Sequence, residues 1–293
     1  LTKQEEVCST LTVIRRESKS TKASSTESGS MGYSALGGDE ESFAAFRETP
    51  GDEGGSRLLL TCEHARADLP PGYKRLGLPE KAFLEHFAWD PGAEELTREL
   101  SRVLGAPSVC STFSRLFVDA NRHPDDPTLV VQDLAGIAIP GNAEMTRAEF
   151  DRRRGFHERY HMAIRHRAEE LAKRDGRFLL LSIHSYTPQL GGQCRRHLEL
   201  GVLYDQAGEE LGKRLRDALG EHGICCALNK PYSGWDGRKI YASARHGRAL
   251  AMPYLTLEVR SDLLTAESSD RIRIRRGLVA ALSSILSEFD GAC

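Results

Sequence analysis

The chain has 293 residues, of which 40% are hydrophobic and 28% charged, the balance of a globular protein rather than of a disordered or fibrous one. Its 40 basic and 42 acidic residues leave a formal net charge of -2, which excludes a strong overall pull towards nucleic acid or an anionic membrane. No apolar run approaches the roughly 18 residues that would suggest a membrane span, and the N-terminal residues lack the basic-then-apolar pattern of a secretory signal. The expectation is a cytoplasmic protein that meets any charged small molecule through a local cluster. Seven cysteines lie scattered with no Cys-x-x-Cys pair, so a bound metal is expected on histidine and carboxylate.

Residues 1–55 are expected to be a disordered segment, because Ser18-Lys-Ser-Thr-Lys-Ala-Ser-Ser-Thr-Glu-Ser-Gly-Ser30 is too polar to offset the entropy of ordering. Residues 56–293 are expected to form one catalytic-size domain. Arg57–Cys62 reads as a buried strand. Asp90-Pro91 opens a helix to about Leu104, with Asp90 as N-cap and Pro91 at the first helical position. Short strands are predicted near Ser108–Phe113 and Leu116–Asp119, then a polar loop to about Ala143. A long helix follows over Arg147–Arg174, with Phe156, Tyr160, Ile164 and Leu171 on one face. Phe178–Ile183 and Leu198–Tyr204 read as strands, Gly208–Glu221 as a helix, Tyr254–Val259 as a strand and Asp270–Phe289 as a closing helix. Strands separated by helices imply a three-layer αβα fold around a mixed, mostly parallel sheet.

Such sheets collect ligands at the carboxyl ends of their strands. The first strand ends in Glu63-His64, the one near Leu116 in Asp119-Ala-Asn-Arg122, the strongest in His184-Ser-Tyr186 and the last in Glu258-Val-Arg260. Two histidines and a carboxylate leave a fourth position for water on a single zinc ion. His64 and His184 are the candidate histidine ligands. Asp90, at the start of the next helix, is favoured as the carboxylate, with Glu63 as the alternative. Glu63 adjoins His64, and neighbours on a strand point to opposite faces. Glu258, in the apolar run Leu255–Val259, is either ion-paired with Arg260 or the general base that serves a metal-activated water. Arg122 offers a planar fork for a substrate carboxylate, and Arg115 a cation for a developing oxyanion.

Val118-Asp-Ala-Asn-Arg122, Ser182-Ile-His-Ser-Tyr186 and Leu257-Glu-Val-Arg260 resemble three active-site segments of the zinc carboxypeptidases, in the same order. A closer similarity is to the N-formylglutamate amidohydrolase family, which shares that fold. It is carried by Thr61-Cys-Glu-His-Ala65, His86-Phe-Ala-Trp-Asp-Pro-Gly-Ala93, Ser114–Arg122, Ile139-Pro-Gly-Asn142, Ser182–Pro188 and Lys230-Pro-Tyr-Ser-Gly234. The resemblance spans about Leu58 to Leu264. It implies that Asn121 and Arg122 bind a substrate carboxylate, that His184 ligates zinc and that Glu258 is the general acid/base. It also implies N-formyl-L-glutamate as substrate, cut to formate and L-glutamate. The chain departs from the carboxypeptidase His-x-x-Glu unit, since the third position after His64 is Ala67. Tyr232 is expected to bind substrate from a loop that closes over it.

Rival readings stand beside this one. His157-Glu-Arg-Tyr-His161 matches the His-Glu-x-x-His pattern of another zinc protease class, but on an arginine-rich helix and with no third ligand at a familiar spacing. A carboxypeptidase-type peptidase, a deacylase of other specificity or a non-catalytic binding module would use the same fold.

Overall fold

The computed structural model describes residues 43–52, 55–134, 137–189, 194–265 and 268–290. The main sheet contains β1 (Phe46–Thr49), β2 (Leu58–Cys62), β3 (Ser108–Ser111), β6 (Leu179–Tyr186), β7 (Leu200–Leu203), β8 (Cys226–Leu228) and β9 (Tyr254–Arg260), while β4 (Asp133–Leu134) and β5 (Ile137–Ala138) form a separate hairpin. The order across the sheet is β1-β3-β2-β6-β9-β7-β8. Strands β3, β2, β6 and β9 run parallel, β1 and β7 pair antiparallel to them, and β8 follows β7. The fold is thus an α/β one with a mixed, mostly parallel sheet, and the carboxyl ends of four neighbouring strands share one edge.

Side-chain alternation along the central strands decides what lies at that edge. On one face Leu58, Leu60 and Cys62 of β2, Leu179, Leu181 and Ile183 of β6, and Leu255, Leu257 and Val259 of β9 join a continuous apolar core. The helices α1 (Ala93–Leu104), α3 (Glu209–Glu221) and α5 (Ser269–Asp290) cover it, through side chains such as Leu100, Leu219 and Leu278. Burying a leucine there stabilises the fold by about 1.5–3 kcal/mol. The other face begins apolar, with Leu59, Leu180 and Tyr254 packed towards α2 (Arg147–Asp175) and α4 (Tyr241–Ala249). It then turns polar towards the carboxyl ends: Thr61 and Glu63, Ser182 and His184, Thr256 and Glu258, all buried. Register places Thr61 beside Ser182, Ser182 beside Thr256 and His184 beside Glu258.

The structure corrects several expectations. Helix α1 starts at Ala93, with Gly92 as its N-cap at φ 79°, so Asp90 does not cap it and Pro91 lies outside it. The predicted strand Leu116–Asp119 is a run of turns. Its carbonyls are taken by side chains instead of a ladder: Asn142 Nδ2 donates to Leu116 O at 2.8 Å and the buried Arg153 to Phe117 O at 3.3 Å. Of the segment expected to be disordered, residues 1–42 lie outside the described residues, whereas 46–49 form β1 on the edge of the sheet. Strand β8 and helix α4 carry no strong apolar signal. Helix α4 buries alanine, serine, histidine and glycine rather than leucine, and its Gly247 lies against Tyr254, where a Cβ would stand 2.2 Å from the ring.

Gly201 of β7 lies opposite Glu258 of β9. A Cβ at Gly201 would stand 1.7 Å from the Lys230 carbonyl oxygen, so the absent side chain lets the segment 229–232 lie directly against the sheet. Gly201→Ala is expected to destabilise the fold by about 2–3 kcal/mol, as overpacking does, read as a lowered urea midpoint with an unchanged slope.

Candidate metal centre and active site

Asp90 reaches the end of β2 because its backbone N–H donates to the His64 carbonyl at 2.9 Å. Gly92 then turns the chain into α1, in a place where a Cβ would meet the Leu264 Cβ at 2.4 Å. Freed from capping, the Asp90 side chain faces inward, with Oδ2 2.7 Å from His184 Nδ1 and 3.4 Å from His64 Nδ1. The two imidazoles meet edge to face, 4.8 Å between centroids. Ligand-type atoms of His64, Asp90 and His184 all lie within 4.8 Å of one another in a buried cluster, the one such group among the described residues.

The far ring nitrogens are held by carboxylates. His64 Nε2 lies 2.7 Å from Asp119 Oδ1, and His184 Nε2 lies 2.9 Å from Glu63 Oε2. Asp119 is held in turn by the Asn121 N–H at 2.8 Å and Arg115 Nη2 at 2.9 Å. Glu63 accepts from Tyr160 Oη at 3.0 Å and from Ser182 Oγ. Carboxylates behind the rings orient histidines towards a metal. The donor set fits a cation on a further ground: His64 Nδ1 and Asp90 Oδ1 are buried with no hydrogen-bond partner, a costly state that a bound ion would relieve. Burial pushes the Glu63 carboxyl up, but bonds from His184 and Ser182 outweigh it and hold the group at about 2. Burial likewise disfavours a charged His184, yet its bonds to Asp90 and Glu63 raise it to about 10.

Glu258 faces the same cluster from β9. It does not pair with Arg260, whose Nε binds Asp262 Oδ1 at 2.7 Å and whose Nη1 binds the Arg196 carbonyl at 2.8 Å. No hydrogen bond from the described residues reaches the Glu258 carboxylate, and burial raises it to about 7 against the pull of His184. Arg115 Nη1 stands 3.8 Å from Asp90 Oδ1, which puts this guanidinium beside the cluster.

The remaining candidates divide. Asn121 is buried: its Nδ2 donates to Lys239 O at 3.0 Å and lies 3.4 Å from His184 Nε2, and its Oδ1 accepts from Ala242 N at 3.0 Å. Arg122 is half-buried, and its Nη1 bonds the carbonyls of Asn121 and Arg238 at 2.8 and 2.9 Å. Tyr232 is half-buried beneath Lys239, whose Nζ lies 4.7 Å from the ring centre. The Asn229 side chain ties Tyr204 N and Gly234 N together at 3.1 and 2.9 Å, and a Cβ on Gly234 would stand 2.5 Å from Tyr204 O.

The histidines of the helix motif serve as struts. His157 Nε2 bonds Arg122 O at 2.9 Å, and His161 Nε2 bonds Ala120 O at 2.9 Å, so both support the loop that carries Asp119 and Arg122. His161 Nδ1 pairs with His246 Nε2 of α4 at 2.9 Å. Reading the sequence missed Glu63 and Asp119 as the partners of His184 and His64, and also His86, whose buried, unpartnered Nδ1 lies 3.9 Å from Asp90 Oδ1. The only advance signal was their membership of the motif segments.

Buried ligand atoms converging from a strand end, a helix-leading turn and a second strand, with a carboxylate beside them, define a metal-dependent hydrolase. Within that class the chain belongs to the N-formylglutamate amidohydrolase family, whose sequence model matches residues 56–265. It is thus a metal-dependent amidohydrolase acting on a linear amide bond. A gene product of Agrobacterium tumefaciens of known crystal structure is 28% identical, with a TM-score of 0.75 over 86% of this chain and 98% of that one. The N-formylglutamate amidohydrolase of Ralstonia eutropha shares the fold at 20% identity, with a TM-score of 0.66 over 86% of this chain and 100% of that one. No curated protein matches the sequence.

Because Glu63 holds His184 through a charged hydrogen bond, Glu63→Gln is expected to weaken metal binding by about 10- to 100-fold, the usual effect of removing such a partner. Competition with a chelating dye measures it. In the same assay His64→Ala is expected to abolish binding, whereas His157→Ala, which removes only a strut to Arg122 O, retains it.

Proposed function

We propose that the chain hydrolyses N-formyl-L-glutamate to formate and L-glutamate, with a single zinc ion held by His64, Asp90 and His184. Two histidines and one carboxylate match the donor set of a catalytic zinc site that keeps one position open. When bound, zinc polarises the scissile carbonyl and acidifies the attacking water.

The observation that carries the proposal is Glu258, buried opposite His184 in register and without a hydrogen-bond partner among the described residues. A carboxylate there is poised to take the proton of the attacking water and deliver it to the leaving amine nitrogen, so that the C–N bond breaks as a neutral amine departs. Arg115 donates to the oxygen that gains charge as the carbonyl is attacked; its place beside Asp90 and Asp119 supports this. Arg122 binds the α-carboxylate of the substrate, with Asn121 as the residue that holds Arg122's loop against α4. Tyr232 lines the substrate side from its anchored loop.

Formate release from N-formyl-L-glutamate by the zinc-loaded protein is the direct test. Glu258→Gln is expected to keep its zinc and lose about 10²- to 10⁴-fold in kcat. Full turnover by that variant would sink the mechanism. Zinc binding with no release of formate would leave a binding module.

A further inference from the structure

The loop 119–122 belongs to no strand, so each of its carbonyls needs a donor from elsewhere than a ladder. Asp119 O accepts from Arg122 N at 3.2 Å and Asn121 O from Arg122 Nη1 at 2.8 Å, both within the loop. The other two are met from α2: Ala120 O accepts from His161 Nε2 and Arg122 O from His157 Nε2, each at 2.9 Å. Residues four apart share a helix face. His157 and His161 thus hold alternate residues of the loop whose Asp119 binds His64.

The His161 strut has a second link. A carbonyl oxygen only accepts, so His161 Nε2 carries a proton. Burial, with His157 and His246 close by, holds the His161 pKa well below its ordinary value, so the ring is neutral and Nδ1 is a bare acceptor. His246 Nε2 lies 2.9 Å from that Nδ1. A bond there requires His246 to carry its own proton on Nε2. Burial beside Arg245 keeps His246 neutral as well, at about 4. The two bonds run in one direction, from His246 through His161 to Ala120 O, and each polarises the next. His157 has no such support, since its Nδ1 is buried with no hydrogen-bond partner among the described residues.

Helix α4 fixes the outer end of this relay. Ala242 and His246 are four residues apart, and the Ala242 N–H donates to Asn121 Oδ1 at 3.0 Å. One face of α4 therefore meets the loop both directly and through His161. Gly247, next to His246, lies against the Tyr254 ring of β9, which sets how deeply His246 enters. The His246 and His161 rings stack at 5.2 Å, and Tyr241 meets His161 edge-on at 5.5 Å.

We propose that His246 is a positioning residue for the metal centre: by donating to His161 it holds the Ala120 carbonyl, and with it Asp119, in the place from which Asp119 binds His64. The inference rests on the metal reading of the cluster and extends its support outward to α4. Without a donor at position 246, His161 Nδ1 becomes a buried acceptor with no partner, and the strut to the loop weakens.

The test compares wild type with His246→Gln, whose side-chain amide can place an N–H near the imidazole Nε2 position, and His246→Met, of similar length with no donor. Zinc affinity is measured by competition with a chelating dye, and amide hydrogen exchange is measured on the zinc-free proteins. The Asn121 and Arg122 amides report on Asp119, because they donate to its Oδ1 and its carbonyl. His246→Met is expected to weaken zinc binding by about tenfold and to speed exchange of those two amides by about tenfold, with the amides of β6 and β9 unchanged. His246→Gln is expected to restore both. Wild-type behaviour of His246→Met would overturn the proposal. So would equal losses in both variants, or exchange that quickens throughout the sheet, which is the mark of a merely structural role. If wild type binds no zinc, it is the metal reading that fails, and exchange at Asn121 and Arg122 decides the relay alone. If His246→Met does not fold, two-bond proton–nitrogen correlations of the wild-type imidazoles decide it. A proton on Nε2 of both His161 and His246 supports the relay, and a proton on Nδ1 of His246 alone overturns it.

Discussion

Two histidines and three carboxylates are buried within hydrogen-bonding reach of one another at the carboxyl ends of β2 and β6, and none of them is tolerable there alone. A lone ionised carboxylate in an apolar layer costs several kcal/mol. Here Glu63 and Asp119 each lean on a far ring nitrogen, while Asp90 lies between the two near ones. The mutual pairing is incomplete, since His64 Nδ1 and Asp90 Oδ1 remain without partners. That residue of unsatisfied polarity is where a cation belongs, so the same constraint that holds the cluster together also defines its function.

The rest of the fold is arranged around keeping those groups in place. The uniformly apolar face of the central strands, packed against α1, α3 and α5, supplies the burial that anchors the sheet. The opposite face is free to become polar at its end because α2 and α4 meet it with hydrogen-bonding side chains. Tyr160 reaches Glu63, His161 and His157 support the loop 119–122, and Asn121 ties that loop to the start of α4. Arg153, buried and bonded to Asn142 Oδ1, Gly141 O and Phe117 O, fixes the approach to Asp119. The substrate side is no looser, because glycines at 201 and 234 let one loop press directly on β7. Preorganisation of this kind suits a reaction whose catalysis depends on charges held in fixed positions.

The sequence by itself determined the α/β class, the central strands and the strand-end candidates His64, His184 and Glu258. Apolar runs with a polar residue at the end are local patterns, and alternation tells which residues share a face. Family motifs extended this to Asn121 and Arg122. Tertiary structure alone decided which group each histidine faces, because His64 meets Asp119 across 55 positions of chain and His184 meets Asp90 across 94. It showed that Asp90 is released from capping by Gly92, that Asn121 ties its loop to the start of α4, and that the histidines of the helix motif are struts to the loop 119–122. It also showed Leu116–Asp119 as turns and 46–49 as an edge strand, where side-chain donors and a neighbouring strand override weak local propensity. Local pattern fixes what a segment can be; only packing decides which buried polar atoms find partners and which are left facing the site.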